Sequence, residues 1–419
     1  MTSNQKRSLF AAWGGIVLDG VDSFIFALVL VPAMKELLPK SGIAATTGNL
    51  GSYGSILFAV FLIGWGLASL WGPLADRFGR VRTMMLAVLC YSLFTFLGCT
   101  AQNVWQLALF RMLAGFGVGG EFVGAATLVA EELPENRRLI GAGFLNSAYY
   151  TGTFIAAALN YSIGARYGWR AMFVVGGLPA LFVAWIRYGV HEPEKWTKRI
   201  QTGKVTAKKS FMALFTPEYR TRTIMNCILS LISMIGLWAG SVYAPGAVTQ
   251  VALRNGYDAK TAAQITSWAT MLLATGTIMA CFSMPFLASR IGRRGAVATF
   301  FTIMAISISI GFGWAFYLPA GSMWVFIACL FFIGIGGGSF SVYLAWIPEQ
   351  YRTECRGSAL ALAFGIGRFV AAAATFFVGM GVAAYGSIGV PVATTSIAFV
   401  IGLVLMRHAV ETKGQLLPD

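Results

Sequence analysis

The chain has 419 residues, 57% of them hydrophobic and only 11% charged, with a mean hydropathy of +0.71. Soluble domains carry about 25% charged residues, so a soluble enzyme, a disordered scaffold and a nucleic-acid-binding domain are all excluded. The net charge of +15, from 31 Lys+Arg against 16 Asp+Glu, would suggest an acidic partner in a soluble protein, but in an apolar chain its meaning depends on where the charges fall.

Apolar runs of membrane-spanning length occur in chain order near residues 9–34, 51–75, 83–101, 104–130, 141–164 and 171–188. A second set follows near 223–245, 264–288, 295–318, 323–347, 358–383 and 390–406. Each is close to the roughly 20 residues that cross a bilayer as a helix. The first run is too long for a cleavable signal peptide and carries two aspartates. None shows the alternation of a membrane β-strand. The expectation is an all-α membrane protein of twelve helices in two pseudo-symmetric bundles, residues 1–188 and 223–419, joined by a cytoplasmic linker at 189–222.

Lys and Arg are distributed unevenly among the loops. With the N-terminus inside, 23 of the 31 fall on the cytoplasmic side and 6 opposite, leaving Arg111 and Arg368 within spans. Positive residues stay inside, so both termini and the linker are expected in the cytoplasm of a multi-pass inner-membrane protein. The six cysteines form no CxxC, and His191 and His408 merely follow apolar runs. Neither a disulfide framework nor a metal site is expected.

Two stretches repeat between the halves. Gly72-Pro-Leu-Ala-Asp76-Arg77-Phe-Gly79-Arg80 is matched 213 positions later by Pro285-Phe-Leu-Ala-Ser289-Arg290-Ile-Gly292-Arg293. Pro134-Glu135 after the fourth run is matched 214 positions later by Pro348-Glu349. Such motifs, with Arg111-Met-Leu-Ala-Gly115-Phe-Gly117-Val-Gly119-Gly120 in the fourth run, resemble the major facilitator superfamily. Glu192-Pro-Glu-Lys-Trp196 and Glu411-Thr-Lys413-Gly-Gln resemble its sugar-porter branch and organic-ion relatives. Asp19-Gly-Val-Asp22 and Gly365-Ile-Gly367-Arg368 resemble its aromatic-acid:proton symporters, and Gly119-Gly120-Glu121 its sialic-acid and metabolite symporters. Ser289 departs from the loop pattern, where Asp76 stands in the first half. The resemblance implies that Gly72, Asp76, Arg77, Gly79 and Arg80, with Arg111, serve gating, and that this gating is centred in the N-terminal half.

Ionisable groups inside the bilayer cost several kcal/mol unless they face a partner or a polar cavity, and so mark function. Asp19 and Asp22, spaced i,i+3, share a helix face, and with Glu121 they are the expected proton carriers. The alternative is a cap or a hydrogen bond to a neighbouring helix. Arg368, near the middle of the eleventh run, offers a planar fork for a carboxylate; the alternative is a permanent internal ion pair with Glu121 or Asp22. Asn146, Tyr149, Tyr150, Trp238, Tyr243, Gln264, Tyr343 and Trp346 are candidate cavity-lining residues. There is no nucleotide-binding loop and no catalytic constellation, so an ion gradient is the expected energy source and no cofactor is expected. A monomeric carrier in a lipid bilayer, importing a small organic anion with protons by alternating access, fits best. A sugar or polyol:proton symporter and a proton-driven exporter of cationic drugs are the alternatives.

Overall fold

The computed structural model describes residues 3–67, 71, 80–132, 138–181, 211–237, 243–319, 321–352 and 355–415. All regular structure among them is helical: α1 Ser3–Lys40, α2 Thr47–Gly66, α3 Arg80–Gly98, α4 Val104–Glu132, α5 Arg138–Leu159 and α6 Trp169–Gly176 in the first half. The second half comprises α7 Arg220–Leu237, α8 Tyr243–Arg254, α9 Ala259–Gly313, α10 Met323–Gly336, α11 Ser339–Glu349, α12 Arg356–Tyr385, α13 Gly389–Thr394 and α14 Ser396–Leu405. Most of the central linker, including Glu192–Trp196, lies outside the described residues, as do Gly72, Asp76, Arg77 and Gly79. Trp238 is also outside them.

Among the described residues, six helical stretches are long and apolar enough to cross a membrane by themselves, including Ala12–Lys40 and Ser358–Tyr385. α9 contains two spans in one run of 55 residues, broken where Gly292 takes φ +83° and ψ 172°. That backbone region is essentially closed to residues with a Cβ, so the glycine allows the chain to turn back between the two expected spans. The tenth span is two helices rather than one. It breaks at Gly337 and Gly338, where a Cβ on Gly338 would meet Ala280 and Phe300 at 2.7 Å. α2 and α9 begin at conventional caps: Thr46 accepts from the Asn49 amide at 3.2 Å and Asp258 from the Lys260 amide at 3.1 Å.

Large apolar residues face outward in stripes at helical spacing, as in Leu86, Leu89, Leu93 and Phe96 of α3 and Met279, Phe282 and Phe286 of α9. In lipid such faces carry no penalty, and association between helices comes from close packing instead. The closest approaches are at glycines. A Cβ on Gly64 would lie 2.0 Å from the Met112 carbonyl oxygen, and one on Gly115 2.2 Å from that of Phe61, joining α2 to α4. In the second half Gly276 and Gly334 join α9 to α10 in the same way, at 2.3 and 2.1 Å from the carbonyls of Phe331 and Leu273.

Among the described residues the halves meet mainly along two helix pairs, with smaller contacts of α5 with α11 and of α1 with α8. α2 packs on α12 and α5 on α9. At the end of the bundle where α1 passes to α2, Gly51 abuts Val382 and Gly379 abuts Ser55. There the Ser55 hydroxyl also lies 2.5 Å from that of Tyr243. At the same end, Asn160 begins a π-helical turn that extends α5, and it donates to Ser267 at 2.9 Å.

Candidate functional site

A cavity of about 50 Å³ lies between the halves. Its walls are Ile16 of α1, Trp65 of α2, Leu145, Asn146, Tyr149 and Tyr150 of α5, Met234 of α7, Phe340 and Leu344 of α11, and Phe364 and Arg368 of α12. Four residues expected from sequence are therefore brought together: Asn146, Tyr149, Tyr150 and Arg368. The other walls are aromatic or aliphatic.

Arg368 is only 8% exposed. Its guanidinium lies 4.4 Å from the centroid of the Trp65 ring, across the boundary between the halves. A desolvated cation over an indole face is stabilised by about 2 kcal/mol. Stacking also orients the planar guanidinium fork. Tyr149 and Asp19 are both within electrostatic reach of Arg368. The Tyr149 ring packs against Trp65, Tyr150 and Phe24, with centroids 6.3, 5.5 and 6.2 Å away. Arg368 of α12 thus interacts electrostatically with groups on α1 and α5.

Asp22 faces a different arginine. Thr95 of α3 donates to its Oδ1, and the Arg111 Nη1 lies 3.6 Å from the same oxygen. Arg111, 1% exposed, lies between the rings of Phe26 and Phe61 at 5.0 and 4.4 Å. The pair sits inside the first half, on α1, α3 and α4. Asp19 and Asp22, three residues apart, therefore have separate electrostatic partners: Asp22 meets Arg111, and Asp19 comes within reach of Arg368. Arg111, expected to serve gating, lies within one bundle rather than between the two. Arg368 does not meet Asp22, which Arg111 holds.

Tyr243, Gln264, Tyr343 and Trp346 are not among the residues that line the cavity. The Tyr243 hydroxyl donates to the Thr375 carbonyl at 3.0 Å beside Ser55, so it ties α8 to α12 and α2. Tyr343 accepts from Ser233 and donates to the Leu229 carbonyl, both at 3.1 Å, in the interior of the second half. Trp346 stacks on Tyr343 and donates to the Val410 carbonyl at 3.0 Å, packing the C-terminal segment. Gln264 is half-buried near the start of α9. Glu121 belongs to α4 and Arg80 opens α3, but their side chains lie outside the described residues. Among the described residues no group of three or more His, Cys, Asp or Glu could hold a metal ion.

Trp65, Phe340, Phe364 and Met234 were not expected at the site. Their apolar side chains match those of the spans around them, and only tertiary placement separates a wall residue from a lipid-facing one.

In the second half, the segment between the two spans of α9 is clamped to the C-terminal segment. Arg293 makes two bonds to the Glu349 carboxylate, at 3.0 and 2.8 Å. Glu411 accepts from the backbone amides of Arg293 and Arg294 at 3.0 and 3.1 Å. These are the residues of the repeated loop motif and of Glu411-Thr-Lys413, distant in sequence and joined in space.

The fold resembles a crystal structure of a D-xylose–proton symporter, with a TM-score of 0.78 at 21% identity, covering 99% of this chain and 100% of that one. The sialic acid transporter NanX of Escherichia coli is 27% identical over 96% of this chain and 93% of its own length. The cis,cis-muconate transport protein of Acinetobacter baylyi is 27% identical over 94% and 92%. Residues 12–375 match the description of the Major Facilitator Superfamily. With that match across both halves, the chain belongs to the major facilitator superfamily and is a multi-pass membrane transporter rather than an enzyme.

Proposed function

We propose that this transporter carries a small organic anion across the membrane together with a proton, the two halves rocking about the cavity between them. The observation that carries the proposal is Arg368, a buried cation on the cavity wall, stacked on Trp65 of the opposite half. An organic carboxylate entering the cavity meets a planar donor fork. Walls built from Trp65, Tyr149, Phe340 and Phe364 favour a flat unsaturated or aromatic monocarboxylate over a heavily hydroxylated solute. Named relatives that carry sialic acid and cis,cis-muconate support an acid as cargo.

Coupling follows from competition for one arginine. Asp19 is within electrostatic reach of Arg368, and a substrate carboxylate must share or replace that interaction. A proton on Asp19 removes its charge and lets the substrate take Arg368, so proton and anion enter together. Asp22, with Arg111 and Thr95, is a second proton carrier within the first half. The excess of Lys and Arg on one side supports cytoplasmic termini. On that orientation, the Ser55–Tyr243 and Asn160–Ser267 contacts close the outer face.

Uptake of radiolabelled nicotinate and benzoate into proteoliposomes, with and without an inward proton gradient, tests this. The gradient should accelerate uptake. Arg368→Gln should abolish uptake, and Asp19→Asn should retain exchange while losing the response to the gradient. Uptake of both acids by Arg368→Gln at the wild-type rate would overturn the proposal.

A further inference from the structure

We propose that Asn146 links occupancy of the cavity to movement of the halves. Its amide holds them together when the cavity is empty and turns to a second hydrogen-bond acceptor on the substrate when it is filled. The inference rests on reading the cavity as an organic-anion site.

Asn146 stands on α5, on the cavity wall. Its Nδ2 donates to the Ser341 hydroxyl of α11 at 2.9 Å and to the Cys281 sulfur of α9 at 3.4 Å. Ser341 in turn donates to Cys281 at 3.2 Å. Both acceptors are buried and belong to the other half. One turn earlier on α5, a Cβ on Gly143 would lie 2.4 Å from the Cys281 carbonyl oxygen, so the backbones of α5 and α9 touch beside the amide. Among the described residues, two other side-chain pairs bond across the halves, Asn160–Ser267 and Ser55–Tyr243. Both lie toward the end where α1 passes to α2, and neither is on the cavity wall.

Rocking separates α5 from α9 and α11, so the bonds of Asn146 must break in each cycle. Thiol sulfur is a weak acceptor. A ring nitrogen or second oxygen on a bound acid competes readily for that N–H. A ligand shifts a conformational equilibrium only through differential affinity for the two states. An acid with a second acceptor gains the amide only in the unlatched state. An acid that lacks one binds both states alike through Arg368.

Nicotinate and benzoate are isosteric and differ in one ring acceptor, so they separate these cases. Ser341→Ala removes the latch partner without altering the cavity wall. We expect it to speed amide hydrogen exchange in residues 139–150 of the ligand-free protein. It should also tighten nicotinate binding, measured calorimetrically, by about fivefold with benzoate unchanged. Asn146→Leu should speed the same exchange and bring the two acids to equal affinity. Unchanged exchange in both variants, or a nicotinate-to-benzoate ratio that stays at the wild-type value in both, would overturn the latch. Arg368→Gln separates the two levels. Loss of both acids in that variant supports the site reading. Retention of both acids sinks the site reading, and the exchange rates of the ligand-free variants then decide the latch alone.

Discussion

Helices α1 and α5 carry Asp19, Asp22, Asn146 and Tyr149, and the contact between them depends on two glycines. A Cβ on Gly152 would lie 2.0 Å from the Val17 carbonyl oxygen and 2.8 Å from the Val21 nitrogen. A Cβ on Gly20 would lie 2.0 Å from the Tyr149 carbonyl oxygen. Carbon and oxygen in contact stand about 3.3 Å apart, so Gly152→Ala must separate the helices by about 1.3 Å. Overpacking of this kind costs about 1–3 kcal/mol, offset by about 0.5–1 kcal/mol because alanine is the better helix former. Gly365→Ala is the matched control, since nothing lies within 4 Å of the added carbon; it should be neutral or stabilising by up to about 1 kcal/mol. Denaturant unfolding in mixed micelles should therefore separate the two variants by about 1–3 kcal/mol. The double variant Gly20→Ala/Gly152→Ala should cost less than the sum, because one separation relieves both clashes. Gly152→Ala as stable as Gly365→Ala, or a fully additive double variant, would refute the reasoning.

Removing the cation from the buried Asp22–Arg111 pair with Arg111→Met should destabilise by about 3–5 kcal/mol, and Asp22→Asn in the same chain should recover part of that loss; an additive cycle in the same unfolding assay would rule out coupling. Glu36 accepts two bonds from Arg170, both at 2.7 Å, with Trp169 and Lys40 bonded to it at 2.8 and 2.7 Å. Because this cluster is more than a third exposed, a Glu36–Arg170 double-mutant cycle should give only about 1 kcal/mol and shrink in high salt. Gly292→Ala forces a side chain into φ +83° and against Glu411, 2.4 Å from its Oε2. It should cost about 1–3 kcal/mol and release the C-terminal clamp, read as faster tryptic cleavage after Lys413.

Hydropathy made the spans legible, because a bilayer demands some 20 consecutive apolar residues whatever their neighbours. Interruptions within spans were harder to read. The π-helical turn at Asn160 and the break at Gly337–Gly338 depend on contacts made by other helices, Ser267 in one case and Ala280 with Phe300 in the other. Asn146, Tyr149, Tyr150 and Arg368 were recognisable as site candidates because polar or amphipathic groups are scarce in an apolar chain. The same rule also selected Tyr343 and Trp346. Their polar atoms bond to backbone carbonyls inside the second half, and a sequence carries no sign of which partner a hydroxyl or indole will find.

Class, duplication and the short roster of buried charges were determined by the sequence alone, since each follows from local composition and the cost of charge in hydrocarbon. The pairing of those charges was decided only by tertiary structure. Asp19 and Asp22 lie three residues apart on one helix, yet one comes within reach of Arg368 and the other meets Arg111. Electrostatic partnership depends on distances of a few ångströms between helices far apart in the chain. Those distances are set by where glycines let backbones touch.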